Sequence, residues 1–283
     1  MSKAPNGLRF RAVAPVAVGL LALCLAGAAA PAGAAGLDAG AAALENRRGL
    51  SDLVIEAFHR RDLGWEIYAP LIAREIGAGA GPDTPAFART LAAWQSVHGL
   101  GAGGVVDAAT FGAMNMAWLG RRPFVAASRR LCPASPAVAS LSPVPAAASY
   151  GGKAMLLRPA ALAAYGRMLA AARSELAELR RDPRLLTVFS AYRAPDEDAA
   201  RCLRDGDCQG VTRATCSAHA TGLAIDVFLG AAPGFGPDSS ADANRLYLSR
   251  GGAYRWLVQN AGRFGFTPYA FEPWHWEWTG EQI

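Results

Sequence analysis

The sequence predicts an α+β fold, with an antiparallel sheet and flanking helices preceded by a small all-α domain. Helix-like and strand-like segments alternate without the βαβ periodicity of a parallel sheet. The run from Trp274 to Trp278 alternates strictly between tryptophan and polar residues, which is the period of a strand. Residues 37–122 instead show the three- and four-residue spacing of helices. With 283 residues, the chain is long enough for two such domains.

Residues 1–36 are predicted to be an export signal peptide. Lys3, Arg9 and Arg11 form a basic start without any acidic residue, and an apolar run from Ala12 to Gly27 follows. Small residues after that run offer cleavage sites of the Ala-x-Ala type. The alternative is a membrane-anchoring helix, but the run is short for a bilayer span. We therefore expect an exported protein of the periplasm or cell envelope, without a stable membrane anchor.

The net charge indicates which partners the protein can bind, and the cysteine content indicates its redox compartment. Loss of the signal segment lowers the formal net charge from +5 to +2, so the basic balance does not predict nucleic-acid binding. The sequence has five cysteines, and Cys24 lies in the predicted signal peptide. The four that remain are an even number, which in an exported chain favours disulfides with three possible pairings. We favour Cys202–Cys208, which closes a short loop, and therefore Cys132–Cys216. A zinc cluster is the alternative, but it lacks Cys-x-x-Cys spacing.

Residues 37–122 are predicted to form the helical domain. Apolar residues recur at helical spacing over Leu53–Phe58 and again over Phe87–Trp94. A Gly/Pro-rich break separates the two helices, and Asp83 or Thr84 is available to cap the second one.

One stretch of this domain carries a specific turn pattern. A helix ends in Gln95-Ser-Val-His98-Gly99-Leu100, and a Gly104-Val-Val-Asp107 turn leads to Thr110. Gly99 would stop the first helix, and Asp107 or Thr110 would cap the next. These residues resemble the peptidoglycan-binding-like helical module that accompanies many wall hydrolases. A generic helical hairpin is the alternative.

The remaining chain is predicted to be a linker and a second domain. Residues 123–149 hold five prolines among alanine and serine, which indicates a semi-rigid linker. Residues 150–283 mix helices and strands. The helices are expected over Leu157–Leu179 and Tyr254–Ala261, and the strands over Leu185–Phe189, Leu223–Phe228 and Trp274–Trp278.

Two of the four histidines need no functional role. His59 lies in a polar Phe-His-Arg-Arg context and is expected to be solvated. His98 ends a helix, where a cation is favourable. His219 differs, because Gly222 permits a tight turn after it and an apolar strand containing Asp226 follows. An unpaired carboxylate in that strand is costly, so Asp226 needs a cation, a strong donor or a metal. A satisfied core aspartate is the alternative.

The last histidine lies in the tryptophan-rich strand. The three tryptophans of Trp274–Trp278 share one face of a regular strand, whereas His275 and Glu277 share the other. Glu272 lies three residues before His275, and a bend at Pro273 would bring it to the same side. Glu277 is expected to be a rim or supporting carboxylate.

Two histidines and one aspartate make a three-ligand zinc site with an open fourth position, as catalytic zinc requires. The residues are His219, Asp226 and His275, so the predicted sheet carries a Zn²⁺ site. A carboxylate outside the ligand set can act as general base toward water, and Glu272 is the candidate.

These residues form motifs that resemble a known family. The strings are Ser217-x-His-x-x-Gly-x-x-x-Asp226 and Glu272-Pro-Trp-His275, together with Ser190-Ala-Tyr-Arg193. They resemble the VanY-type D-alanyl-D-alanine carboxypeptidases, zinc peptidases of bacterial cell-wall peptides. The resemblance runs from roughly Lys153 to Trp278.

The resemblance implies a role for each matching residue. The implied zinc ligands are His219, Asp226 and His275. Glu272 would be the general base, and Arg193 would stabilise the scissile carbonyl as it becomes an oxyanion. Ser217 and Tyr192 would contact the substrate. The chain departs from the family where Asp196-Glu197-Asp198 follows the Tyr-Arg pair, at a point where a glutamine is usual. The stretch of chain from Cys202 to Cys216 is a second local variation. Both departures lie where substrate-binding loops are expected, so they affect which substrate is bound.

The resemblance implies hydrolysis of peptidoglycan stem peptides, with removal of a terminal D-alanine as the first expectation. An endopeptidase cutting between L- and D-residues is one alternative. A non-catalytic wall-binding protein is another, although an intact Glu272 and Arg193 argue against it. We expect a monomer.

Overall fold

The computed structural model describes residues 38–128, 132–206, 208 and 216–280, and the predicted signal peptide lies outside them. The mixture of helices and an antiparallel sheet confirms the α+β prediction. The α-helices are α1 (Ala39–Asp52), α2 (Ala69–Ile76), α3 (Pro85–Val97), α4 (Ala108–Gly120), α5 (Pro123–Ala127), α6 (Pro159–Glu175), α7 (Ala177–Arg181), α8 (Pro195–Asp205), α9 (Asp242–Arg250) and α10 (Gly252–Asn260). The strands are β1 (Val54–Ala57), β2 (Arg60–Leu63), β3 (Ser142–Pro143), β4 (Leu156–Leu157), β5 (Val188–Ser190), β6 (Ala224–Val227), β7 (Phe266–Pro268) and β8 (His275–Trp278).

A four-stranded antiparallel sheet in the order β5-β6-β8-β7 lies at the centre of the carboxyl-terminal half. Every residue of β6 is buried, as its apolar sequence predicts. The register aligns Ser190 of β5, Asp226 of β6 and His275 of β8 in one row across three strands. Because side chains alternate along each strand, such a row shares one face of the sheet. The sheet therefore brings Asp226 and His275 together from positions 49 residues apart.

Helix ends in the amino-terminal segment form at the predicted signals. Thr84 caps α3, and its hydroxyl accepts a hydrogen bond of 3.2 Å from the amide of Phe87. Gly99 follows α3 with a φ of +70°, the left-handed conformation that ends a helix. Of the two predicted caps for α4, Asp107 fills the position and accepts from the amide of Thr110.

The helix predicted over Leu53–Phe58 is wrong, because this segment forms the β1–β2 hairpin. Phe58 and His59 occupy the turn with φ values of +54° and +55°. Positive φ at both central residues is the geometry of a tight hairpin turn whose twist suits two antiparallel strands. The apolar residues matched a helical period by chance, and packing decided the conformation. Ile55 of β1 is 1% exposed.

The helix predicted over Leu157–Leu179 divides into α6 and α7. Leu176 lies between them with an extended backbone, at φ −111° and ψ 110°. Leu157 belongs to β4 and pairs with Ser142, so the helix begins later, at Pro159. Proline at the first helical position has no amide hydrogen that would need an intrahelical partner.

The amino-terminal segment packs directly on the rest of the chain, and the described residues from 38 onward belong to one compact unit. Arg245 of α9 is fully buried and donates to Asp62 of the hairpin at 3.1 Å and to the hydroxyl of Tyr68 at 2.5 Å. This ion pair joins positions 183 residues apart. The domain boundaries predicted after residue 122 and before residue 150 stay a prediction. Residues 37–122 and 150–283 nevertheless share buried contacts such as this ion pair.

A disulfide also ties the predicted linker to the carboxyl-terminal half of the chain. Cys132 is bonded to Cys216 and Cys202 to Cys208, which confirms the favoured pairing. The first bond closes a loop between residues 84 positions apart, so it restricts the unfolded chain more than the second bond does. No helix within the described residues has the length and apolar character needed to cross a membrane.

A glycine behind the hairpin provides a test of this packing. Gly64 has a φ of +79°, and a Cβ there would overlap the carbonyl oxygen of Leu50. We expect Gly64→Ala to lower the free energy of unfolding by more than the roughly 1–2 kcal/mol of left-handed strain alone. Gly99→Ala is the matched control, since Gly99 has a similar φ of +70° but open space around it. Equal losses in chemical denaturation of the two variants would contradict the predicted clash.

Candidate metal and active site

Three buried side chains converge on one point above the sheet. His219 lies in a 3₁₀ turn at Ala218–Thr221, Asp226 lies in β6 and His275 begins β8. Nε2 of His219 lies 3.2 Å from one carboxylate oxygen of Asp226, and Nδ1 of His275 lies 2.9 Å from the other. One ligand atom from each residue lies within 4.8 Å of the other two. The three residues predicted to bind zinc are therefore adjacent in space.

The outer nitrogen of each histidine ring faces an acceptor. Nδ1 of His219 lies 2.8 Å from the carbonyl oxygen of Ala191, and Nε2 of His275 lies 3.4 Å from the carboxylate of Glu277. A proton on each outer nitrogen leaves a lone pair on each inner nitrogen, beside the carboxylate of Asp226. Three acceptors that converge in a buried place repel one another unless a cation lies between them. The donor set of two histidines and one aspartate fits Zn²⁺.

The electrostatics of the site agree with this need for a cation. Burial lowers the pKa of His219. Burial also acts to lower the pKa of His275, but the nearby carboxylates of Asp226 and Glu277 outweigh burial and raise that pKa to about 9. Burial acts to raise the pKa of Asp226, but the two histidines hold it well below its usual range. Asp226 therefore stays ionised, and its buried negative charge favours a cation beside it.

Glu272 reaches the site through the bend expected at Pro273. The amide of Glu272 donates to the carbonyl of Tyr269 at 3.1 Å, and the amide of His275 donates to the carbonyl of Glu272 at 2.9 Å. These two bonds turn the chain just before β8. Glu272 consequently lines the same cleft as the three converging residues, although regular strand alternation would place it opposite His275.

Arg193 and Ser217 lie on the wall of that cleft and share one acceptor. Asp198 of α8 accepts hydrogen bonds from Nε of Arg193 and from the hydroxyl of Ser217. The guanidinium also donates to the hydroxyl of Ser190 at 3.2 Å. Asp198 is 3% exposed, so it is a buried carboxylate with two close donors. It lies in the segment where the sequence departs from the resembled family, and it holds both residues in place.

Tyr192 occupies a different position from its neighbour. It is half-buried, and its amide donates to the carbonyl of Leu156 at 2.9 Å. Tyr192 is absent from the described residues that line the cleft, whereas Arg193 and Ser217 are present. A contact between Tyr192 and substrate stays a prediction.

The cleft has a volume of about 400 Å³ and two walls of different origin. One wall carries Arg193, Ser217, Glu272 and the three converging residues. The other comes from the amino-terminal segment and the start of the predicted linker. Its residues are Phe58, His59, Asn115, Leu119, Arg122, Phe124 and Val125. A volume of this size suits a short peptide or another small ligand.

Sequence reasoning missed three contributors to the cleft. His59 was expected to be solvated; it is exposed, and it also lines the cleft from the hairpin turn. The sequence marks Asp198 only as part of an acidic departure, and no local pattern distinguishes it from Asp196 or Glu197. Arg122 pairs with Glu277 across 155 residues. One indication of this pair is present in the sequence: Glu277 shares a strand face with His275, so it is directed toward the site and needs a partner.

Comparisons with known proteins found limited similarity. No family model and no curated protein matches the chain. Among solved structures, the chain is similar to the LdcB LD-carboxypeptidase, in a structure described as revealing the molecular basis of peptidoglycan recognition. The match has 25% sequence identity and a TM-score of 0.32, and it covers 44% of this chain. The match spans 60% of the length of that structure. At this TM-score the similarity does not assign an activity to the chain.

Proposed function

We propose that the chain is a zinc-dependent peptidase acting on peptidoglycan stem peptides. The observation that carries the proposal is the convergence of His219, Asp226 and His275 at the base of a cleft. Glu272 and Arg193 line the same cleft. A purely structural zinc site needs neither a carboxylate outside the ligand set nor an arginine in the same cleft. This arrangement favours catalysis over a non-catalytic wall-binding role.

His219, Asp226 and His275 would hold the metal. When bound, Zn²⁺ would polarise the scissile carbonyl and lower the pKa of a coordinated water.

The residues around the metal site have separate tasks in this proposal. Glu272 takes the proton of the attacking water and later gives it to the leaving amine, as a general base and then a general acid. Arg193 faces the carbonyl oxygen as negative charge develops on it. Asp198 holds the guanidinium through Nε and Ser190 accepts from Nη1, and Arg193 lines the cleft in this position. Ser217 contacts the peptide backbone beside the cleaved bond.

The substrate class follows from the sequence motifs. The Ser-x-His and Glu-Pro-Trp-His strings resemble carboxypeptidases that remove a terminal D-alanine from stem pentapeptides. The structurally similar LdcB protein is described as an LD-carboxypeptidase. We therefore propose a carboxypeptidase with D-alanyl-D-alanine ends as the first substrate, and with the bond between an L-residue and a terminal D-alanine as the second candidate.

A product analysis with defined peptides tests the proposal. The protein lacking residues 1–36 is incubated with Zn²⁺ and a stem pentapeptide, a stem tetrapeptide or a cross-linked dimer, and products are identified by mass. Free D-alanine from the pentapeptide supports the first substrate, and D-alanine from the tetrapeptide supports the second. Internal fragments from the dimer indicate an endopeptidase. Absence of zinc-dependent cleavage of all three contradicts a peptidase.

Asp198 provides a test within the cleft. In Asp198→Asn, the amide nitrogen of the new side chain cannot accept a hydrogen bond, so Arg193 or Ser217 loses its acceptor. Misplacement of groups that face the reacting bond can lower the rate by about 100-fold, so we expect kcat/KM to fall by roughly tenfold or more. Glu197→Gln is the control, because Glu197 is exposed on the same helix and caps the amide of Ala194. Equal kcat/KM for Asp198→Asn and the parent would contradict this role.

We also propose that the protein is exported and works in the cell envelope as a monomer. Two disulfides among the described residues support an oxidising compartment. Peptidoglycan lies in that compartment, so location and proposed substrate agree.

A further inference from the structure

The two ring nitrogens of His275 face different carboxylates. Nδ1 lies 2.9 Å from Asp226, on the side of the candidate metal site. Nε2 lies 3.4 Å from Glu277, two residues along β8. Nε2 is buried and has no well-aligned hydrogen bond among the described residues. Glu277 is therefore the carboxylate placed to accept the proton on the outer nitrogen. Such an acceptor fixes the tautomer and the ring orientation of a metal-binding histidine.

Glu277 is itself held from the amino-terminal segment. Nε and Nη2 of Arg122 each lie 2.6 Å from one carboxylate oxygen of Glu277. The amide of Phe124 donates to the other oxygen at 3.0 Å. Arg122 is 8% exposed and Glu277 is 1% exposed. Both oxygens of a buried carboxylate are thus occupied by donors from one short segment of the chain.

Arg122 also packs against the turn that precedes β8. Its guanidinium lies 3.9 Å from the ring centroid of Tyr269. The amide of Tyr269 donates to the carbonyl of His275 at 3.0 Å. Arg122 therefore contacts two residues that lie beside His275, namely Glu277 and Tyr269.

The charge of Arg122 is what allows a carboxylate at this depth. The guanidinium of Arg122 lies 2.6 Å from Glu277, and both side chains are buried. Removal of one partner of a buried ion pair leaves the other charge uncompensated. Loss of Arg122 would therefore displace the Glu277 carboxylate from its place beside His275.

We propose that Arg122 is a positioning residue of the metal site, acting through Glu277 to set the orientation and tautomer of His275. The amino-terminal segment is then a working part of the site and not only a separate wall-binding module. The inference rests on the metal-binding part of the proposed function and is independent of which peptide is cleaved.

The neighbouring residue provides a matched control. Arg121 is also an arginine at the end of α4, and its two terminal nitrogens each lie 2.7 Å from Glu75. That bidentate pair lies outside the described lining of the cleft. Loss of Arg121 removes a similarly short but more exposed ion pair without touching Glu277. The comparison therefore separates a general effect of a lost ion pair from an effect on His275.

The test measures Zn²⁺ affinity of the full protein without residues 1–36, by competition with a chromophoric chelator at constant pH. The variants are Arg122→Met, Arg122→Lys, Glu277→Gln, the double variant Arg122→Met/Glu277→Gln, and Arg121→Met. We expect Arg122→Met and Glu277→Gln each to weaken binding by about 10- to 100-fold. The double variant should be no worse than the poorer single one, because the two residues act as one unit. Arg122→Lys should recover part of the affinity.

Two further measurements keep the outcome clear. Thermal unfolding of the metal-free proteins shows whether each variant folds, and the Co²⁺ absorption spectrum shows whether ligand geometry has changed. If Arg122→Met does not fold, Arg122→Lys and Glu277→Gln decide the question. Parent-like affinity in the folded variants, or an equal loss in Arg121→Met, overturns the inference. A parent protein that binds Zn²⁺ but cleaves no stem peptide contradicts only the proposed substrate, whereas one that binds no Zn²⁺ contradicts both.

Discussion

Replacement of Glu272 by alanine is expected to remove most of the turnover while zinc binding is retained. Glu272 lines the cleft but is not one of the three converging ligand residues, so its loss leaves the metal donors in place. General acid–base catalysis by one group contributes about 10²- to 10⁴-fold, and we expect kcat to fall within that range. The measurement is steady-state release of D-alanine, together with zinc content by elemental analysis.

Two further variants make the Glu272 result interpretable. Glu272→Gln keeps the size of the side chain but cannot take a proton, so it should lose as much activity as the alanine variant. Glu45→Gln is the control, because Glu45 pairs with Arg48 on the exposed surface of α1. Near-parental turnover in either Glu272 variant would show that another group acts as the base. Loss of zinc from both would instead place Glu272 among the metal ligands.

Replacement of His219 by alanine is expected to abolish both zinc binding and activity. His219 supplies one of three ligand atoms, and its ring is anchored by the carbonyl of Ala191 at 2.8 Å. A ligand that binds only the folded state stabilises it by about 2.7 kcal/mol at a concentration 100-fold above its Kd. Addition of Zn²⁺ should therefore raise the melting temperature of the parent protein and leave that of His219→Ala unchanged.

Two controls complete the test of His219: removal of the metal from the parent protein, and replacement of a histidine outside the site. Dialysis of the parent protein against a chelator should abolish activity, and Zn²⁺ should restore it. His98→Ala is the control, since His98 is exposed and stacks on Trp94 with ring centroids 3.9 Å apart. Retention of a zinc-dependent shift in His219→Ala would mean that the metal binds elsewhere. The same shift in His98→Ala and the parent is expected.

Local sequence patterns predicted much of the fold around the site. The alternation in the last strand placed His275 and Glu277 on one face, and the register of β8 agrees with it. The caps at Thr84 and Asp107 form as their residue types predict. Signals of this kind depend on residues within a few positions of one another, which is why they can be read without a structure.

The errors have a common physical cause. The Leu53–Phe58 segment was assigned to a helix because its apolar spacing matched that period, but tertiary packing favoured a hairpin. The helix beyond Leu157 was extended too far, because an extended residue at Leu176 leaves no mark on the apolar pattern. Short apolar runs are compatible with either period, and long-range contacts select between them.

The sequence by itself determined the chemical groups of the site. His219, Asp226, His275 and Glu272 were selected because two histidines and an aspartate suit zinc and a nearby carboxylate suits a base. Only the tertiary structure decided what supports and encloses these groups. Asp198 holds Arg193 and Ser217 from α8, and Arg122 reaches Glu277 from 155 residues away. Such partners meet only when the chain folds, because their pairing depends on how distant segments pack and not on local spacing.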